Sequence, residues 1–454
     1  MHPECLAIKI PLDDSFYSKH NQTCMEFVRS SPAPLEGCTL GTNLKYVYGS
    51  SDKQANVLRA HKHENPSGLL SVQEIGFRQS LLPYSPESQP DECRDASTGN
   101  KYCFRAGDKR VNEQPGLSSM HTLWVREHNR VARELASLNP HWNDEHLYEE
   151  SRRIIIAEMQ HITYNEFLPV LLGPTIMKLF ALQLEEKSNY YWGYDSDLDA
   201  SMANVFGSAA FRFGHSLVPQ SMQRSDKFYN VIESDIELSN EMMSPKILHN
   251  FGAIDRLLLG MVSQETQQRD EFISDQLTNH LFQNKVHSYG MDLIALNIQR
   301  GRDHGLPSYI KWRDYCGLRR PKNFSDLEGL LNVNTLRRLE KIYEYVEDVD
   351  LFPGGMAEKP VVGGLVGPTF ACLIGQVFQI LRKGDRFWYE NGNFAAAFTI
   401  PQLEALRKSS LARILCDNLD DVESFQLRVM KAAKKTRFLD FIIFVVDLYF
   451  SNPR

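Results

Sequence analysis

Apolar positions recur with a 3.6-residue period from Ser118 onward. Met120, Leu123, Trp124, Val131, Leu135 and Leu138 fall on one face, with Glu127 and His128 beside them. Ser118 or Ser119 as N-cap and Pro140 just past the end bracket an amphipathic helix. The same period predicts helices within 146–172, 199–219, 271–282, 327–346, 367–390 and 400–418. Alternating polar and apolar positions are scarce, so the body reads as mainly α. Residues 1–115 carry Pro, Gly, Ser and Asn throughout and only short apolar runs such as CLAIKI, which predicts an irregular, loop-rich collar. No stretch rich in Pro, Gly or Ser divides the rest, so one large helical domain is expected.

Composition adds limits. A chain of 454 residues with 42% hydrophobic content can bury a cofactor. A net charge of −7 with no long basic run argues against nucleic acid or an anionic membrane as partner. The apolar run FLDFIIFVVDLYF (438–450) is too short to span a bilayer and carries Asp440 and Asp447, so no transmembrane segment is expected. Cys93 and Cys103 flank a polar stretch in the manner of a small looped disulfide, and Asn21-Gln22-Thr23 and Asn323-Phe324-Ser325 are glycosylation sequons. These features favour an oxidising compartment. The start, MHPECLAIKIPLDD, has no signal-peptide pattern, so the expectation is a secreted product whose complete N-terminus lies upstream.

Three stretches could carry chemistry. In SAAFRFGHSLVP, His215 lies in an apolar run with Arg212 three positions earlier. A buried imidazole needs a partner for its ring nitrogens, and Arg212 could hold an acidic group of whatever His215 contacts. In LIALNIQRGRDHGLPSY, Asn297 and Arg300 share a helix face and can point into one pocket, beside Arg302, Asp303 and His304. In AGDKRVNEQPG, Arg110 and Glu113 offer a cation and a carboxylate just before the strongest helix. His61, His63, His141 and His146 lie in polar surroundings or at a helix start and lack metal-site spacing. There is no GxGxxG after a strand and no GxSxG elbow.

The motifs AGDKRVNEQPGLSSMHTLWVREHNR, LNPHW, FRFGHSL, LNIQRGRDHGLPSY, CGL (316–318) and GDRFWYEN occur in this order. Through them the chain resembles the animal haem peroxidases over roughly residues 3–418, and among these the insect members most. The resemblance implies a large helical domain over 1–418, a diverged tail over 419–454 and haem b as cofactor. It implies His215 as proximal iron ligand, with its second ring nitrogen bonded to Asn297. Arg212 and Arg300 would pair with the haem propionates, Glu113 would form an ester with a haem methyl, and Arg110 would be the distal arginine. Hydrogen peroxide and a small donor (halide, thiocyanate or aromatic) would be the reactants. The family pattern also pairs Cys93 with Cys103 and Cys316 with Cys372.

The chain departs from that pattern in three places. The family's distal His and neighbouring Asp belong upstream of Met1, and His2 aligns after them. The calcium loop expected between CTLGT and VYGS reads only CTLGTNLKYVYGS (38–50), so no family-type calcium site is expected. After residue 418 the sequence diverges, and Cys5, Cys24 and Cys416 match cysteines whose partners are missing. The primary expectation is therefore an incomplete haem peroxidase, and the alternative is a catalytically impaired haem-binding or matrix-interaction protein on the same scaffold.

Overall fold

The structure, a computed structural model, describes residues 5–30, 45–60, 67–75, 80–89, 92–94, 101–186, 188–232, 235–284, 286–392, 394–420, 422 and 424–431. Most of the calcium-loop stretch, together with His2, His61, His63, Cys38 and the run 438–450, lies outside the described residues. The described chain is mainly helical. Its strands are three antiparallel pairs of two residues each, of which Ile8–Lys9 with Cys24–Met25 matters most here.

The principal helices are α1 (Pro115–Leu138), α2 (Asp144–Ile162), α3 (Leu168–Leu179), α4 (Ala253–Ser263), α5 (Leu293–Asp303), α6 (Pro368–Gly384) and α7 (Leu411–Asn418). Around α1 pack α2, α4 and α7. The helix starts four or five residues earlier than the expected Ser118 or Ser119 cap implies. Gln114 is its N-cap, accepting from Gly116 N, and Pro115 takes the first position, where a missing N–H costs nothing. Ser118 and Ser119 lie inside, their hydroxyls donating to the carbonyls of Val111 and Pro115. Nor is α1 amphipathic over its first half: residues 115–129 are buried on every side. Its polar groups there need partners. Asn129 pairs with both backbone groups of Leu70, Tyr48 donates to His128, and Arg126 pairs with Asp255.

Other boundaries also move. The pattern at 146–172 resolves into α2, a π-helical turn over Thr163–Phe167 and α3. The expected helix over 271–282 shrinks to Asp275–Thr278, because Leu281 pairs antiparallel with Met291 and Phe282 takes a left-handed conformation. Buried apolar residues from Val47 to Met430 form one continuous core. Leu419, Val429 and Met430 belong to it, so the described residues just after 418 pack against the helices. Disulfides join Cys93 to Cys103 and Cys316 to Cys372, whereas Cys5, Cys24 and Cys416 are free thiols.

Candidate functional site

His215 lies on a 3₁₀ helix, Ala210–Leu217, between α3 and α4. With about three residues per turn, this geometry places Arg212 and His215 in line, one turn apart. His215 is buried, and its Nδ1 lies 2.7 Å from Asn297 Nδ2 on α5. Burial, then the charge of Arg212, pulls the imidazole down to about 3, so the ring is neutral. Asp292 sets the start of α5 by accepting from the N–H groups of Ile294 and Ala295. That start fixes the phase that brings Asn297 behind His215.

A cavity of about 1200 Å³ opens in front of His215. Arg110, Glu113, Arg212 and Arg300 line it together with His215, and Phe27, Met222, Met242, Leu293 and Leu296 supply apolar wall. Asn297 is fully buried and stands behind His215 instead of on the wall. His215 is the one histidine among the described lining residues.

Each arginine is held differently. Arg110 sits on a short 3₁₀ helix, Lys109–Asn112, capped by Asp108, and forks onto that carboxylate at 3.0 and 2.5 Å. Burial pushes Asp108 up, but the hydrogen bonds and charge of Arg110 outweigh it and hold the carboxyl below its ordinary range. Asn112 ties this segment to the backbone of Phe104, next to the Cys93–Cys103 disulfide. Glu113 caps the same turn. The ion partner of Arg110 is thus Asp108, which the sequence reading passed over although it lies two residues away.

Arg212 donates to Gly207 O and, at 2.6 Å, to Asn297 Oδ1. Arg300 lies 4.2 Å above the Phe27 ring and donates to Val28 O and Ser30 Oγ, near Asp303. Asp303 also takes Arg29 and Ser30 N, and His304 meets Ser30 Oγ, so these two residues fasten the N-terminal hairpin over α5. Arg302 pairs with Asp350 on the exposed side. His141 and His146 are exposed and lie away from the cavity wall.

The sequence profile of the animal haem peroxidases matches residues 1–430. The chain belongs to that family. It is 40% identical over 457 residues to the peroxidasin homolog of Mus musculus, covering 95% of this chain and 30% of that protein. It is 37% identical to a Drosophila melanogaster peroxidase, covering 94% of this chain and 62% of the relative. Among solved structures, peroxidase A from Dictyostelium discoideum superposes with a TM-score of 0.76 at 27% identity, covering 94% of this chain and 82% of its own. A fatty acid alpha-dioxygenase from Oryza sativa shares the fold, with a TM-score of 0.71 at 19% identity, covering 95% and 74%. This animal haem peroxidase chain therefore spans under a third of the peroxidasin it matches.

Haem is the cofactor that this family implies, and the cavity fits it. The space exceeds the roughly 300–1,000 Å³ usual for small-ligand pockets. It combines a neutral imidazole already bonded at Nδ1, apolar wall for a macrocycle and the guanidinium groups of Arg212 and Arg300 for carboxylates. Among the described residues no group of three or more His, Cys, Asp or Glu offers a separate metal site.

Proposed function

We propose that the chain serves as the haem-binding domain of a secreted peroxidase that uses hydrogen peroxide to oxidise halide, thiocyanate or aromatic donors. The observation that carries this reading is the His215–Asn297 contact at a cavity rimmed by Arg110, Arg212 and Arg300. Haem bound there supplies transfer of two electrons to peroxide and their recovery from the donor.

The protein's own residues divide the remaining work. His215 would hold the metal through Nε2, the nitrogen that faces away from Asn297, and Asn297 fixes the ring's orientation. Arg212 and Arg300 hold the propionates as planar, permanently charged donors. Glu113 stands on the cavity wall as the ester-forming carboxylate. Arg110, braced by Asp108, offers fixed donors to negative charge that develops on peroxide oxygen. The disulfides suit an oxidising compartment.

The test is a haemin titration of the purified chain followed by hydrogen peroxide, with the Soret band watched throughout. Stoichiometric binding and a rapid peroxide-dependent spectral change support the enzyme. Binding without that change favours the haem-binding alternative, in which no general acid–base group completes the distal side. Absence of binding overturns both.

A further inference from the structure

The GDRFWYEN motif has no part in the haem pocket described above, yet it builds a second arrangement of chemical interest. Its Tyr389 is buried, and its hydroxyl lies 2.8 Å from Nδ1 of His161 on α2. The neighbouring Gln160 side chain accepts from Tyr389 N, so α2 grips this residue at both ends. Trp388, also buried, donates its indole N–H to Glu390 at 3.3 Å.

A line of rings joins this pair to the cavity. Phe211 lines the cavity four residues before His215 and stacks on Phe206 with 4.4 Å between centroids. Both contact Phe378, at 6.1 and 5.9 Å. Phe378 meets Tyr164 at 5.7 Å, Tyr164 meets Trp388 at 4.6 Å, and Trp388 meets Tyr389 at 5.0 Å. No step is longer than an ordinary aromatic contact. The three phenylalanines are hard to oxidise and act as bridge. Tyr164 donates to a backbone carbonyl, Phe378 O, which cannot take a proton away. Tyr389 differs, because a phenol loses an electron readily only when its proton has somewhere to go, and His161 is a base within reach. Burial, then the charge of Arg407, lowers His161 to about 4, which makes the ring a weak base but keeps it neutral, and an oxidised phenol is acidic enough to protonate it.

We propose that Tyr389 and His161 form a proton-coupled redox site that receives a one-electron oxidising equivalent generated in the haem cavity, with Trp388 as the last relay. This rests on the haem-peroxidase reading. One electron leaves the Tyr389 ring for the oxidant in the cavity, which is reduced by one electron. The phenolic O–H bond breaks, and an N–H bond forms at Nδ1 of His161, giving a neutral tyrosyl radical beside an imidazolium. A one-electron donor reverses the step and the proton returns. The site would store oxidising power away from the cavity when no small donor is bound.

A second buried pair, Tyr48 with His128, has the same 2.8 Å hydrogen bond. Its ring contacts lead only to Tyr148 among the described residues. It is therefore an internal control.

The experiment loads the full chain with zinc protoporphyrin and photo-oxidises it by a laser flash in the presence of an electron acceptor, which removes any dependence on peroxide turnover. Electron paramagnetic resonance then reads the protein radical. The expected result is a tyrosyl signal that narrows when the unmutated chain carries ring-deuterated tyrosine, is lost in Tyr389→Phe and His161→Phe, and persists in Tyr48→Phe. A signal of undiminished size in Tyr389→Phe, or no tyrosyl signal while the porphyrin is oxidised, overturns the proposal. Failure to take up porphyrin overturns the haem reading, and this inference with it.

Discussion

Asn297 presents its amide nitrogen to His215 Nδ1 at 2.7 Å while Arg212 holds the amide oxygen at 2.6 Å. An NH₂ group can only donate, so in this arrangement the ring proton of His215 sits on Nε2. Ligation through Nε2 needs that proton on Nδ1, with Asn297 turned to accept it. A turned amide would then point its NH₂ at Arg212, which has no acceptor to offer. On the proposed reading of His215 as metal ligand, Arg212 must therefore release Asn297, and a propionate would give it a better partner.

It follows that Asn297→Leu should weaken haemin binding roughly 10–100-fold, whereas Asn297→Asp, which keeps an acceptor at Nδ1, should largely preserve it. Haemin titration of the two variants reads this directly. Equal affinity for wild type and Asn297→Leu would reduce Asn297 to a packing role.

Arg110 touches the cavity through a fork that Asp108 already holds. Arg110→Ala should leave haemin affinity near wild type and slow the reaction with peroxide by roughly 10²–10³. Stopped-flow absorbance at varied peroxide separates the two effects. A variant that loses haemin instead would place the arginine's role in binding.

Buried histidines and buried carboxylic acids set opposite slopes of stability with pH. Burial foremost depresses His215 to about 3 and His128 and His161 to about 4, from an ordinary 6.5. Their contribution is complete above about pH 6.5 and is lost as pH falls below it, because the unfolded chain binds the protons first. Burial, with the charge of Glu127, raises Glu158 to about 8, and burial raises Glu166 to about 7. Their contribution is complete below about pH 4.5 and is lost as pH rises toward those values. The two ranges overlap between about pH 4.5 and 6.5, so melting curves should show greatest stability in or near that overlap and lose it on both sides. Among the described residues Glu158 Oε2 has no hydrogen-bond partner. Glu158→Gln should therefore flatten the alkaline slope by on the order of 1 kcal/mol and leave the loss of stability below about pH 4.5 intact. An unchanged alkaline slope would contradict the burial argument.

The two disulfides close loops of very different length, 10 residues for Cys93–Cys103 and 56 for Cys316–Cys372. Chain-entropy reasoning assigns them about 3 and about 4 kcal/mol respectively. Removing the second by Cys316→Ala with Cys372→Ala should lower the melting temperature more than removing the first. Calorimetry on both double variants checks the order.

The period of apolar residues was enough to reveal α1, α2 and α6 and the all-helical texture, because burial of a helix face leaves its spacing in the chain. It misplaced the start of α1, since Ser118 and Ser119 satisfy backbone carbonyls inside the helix as well as they would cap one. The motifs made His215, Asn297, Arg212, Arg300, Arg110 and Glu113 legible as a set through their family resemblance. Local spacing alone left each of them with an ordinary reading. Folding decided the rest. Asn297 reaches His215 across 82 residues, and Tyr389 reaches His161 across 228. Such pairings depend on how helices pack around α1, and no local pattern encodes a distance between segments that far apart. The shortened helix at Asp275–Thr278 has the same cause, because the Leu281–Met291 pairing outweighs a local helical preference.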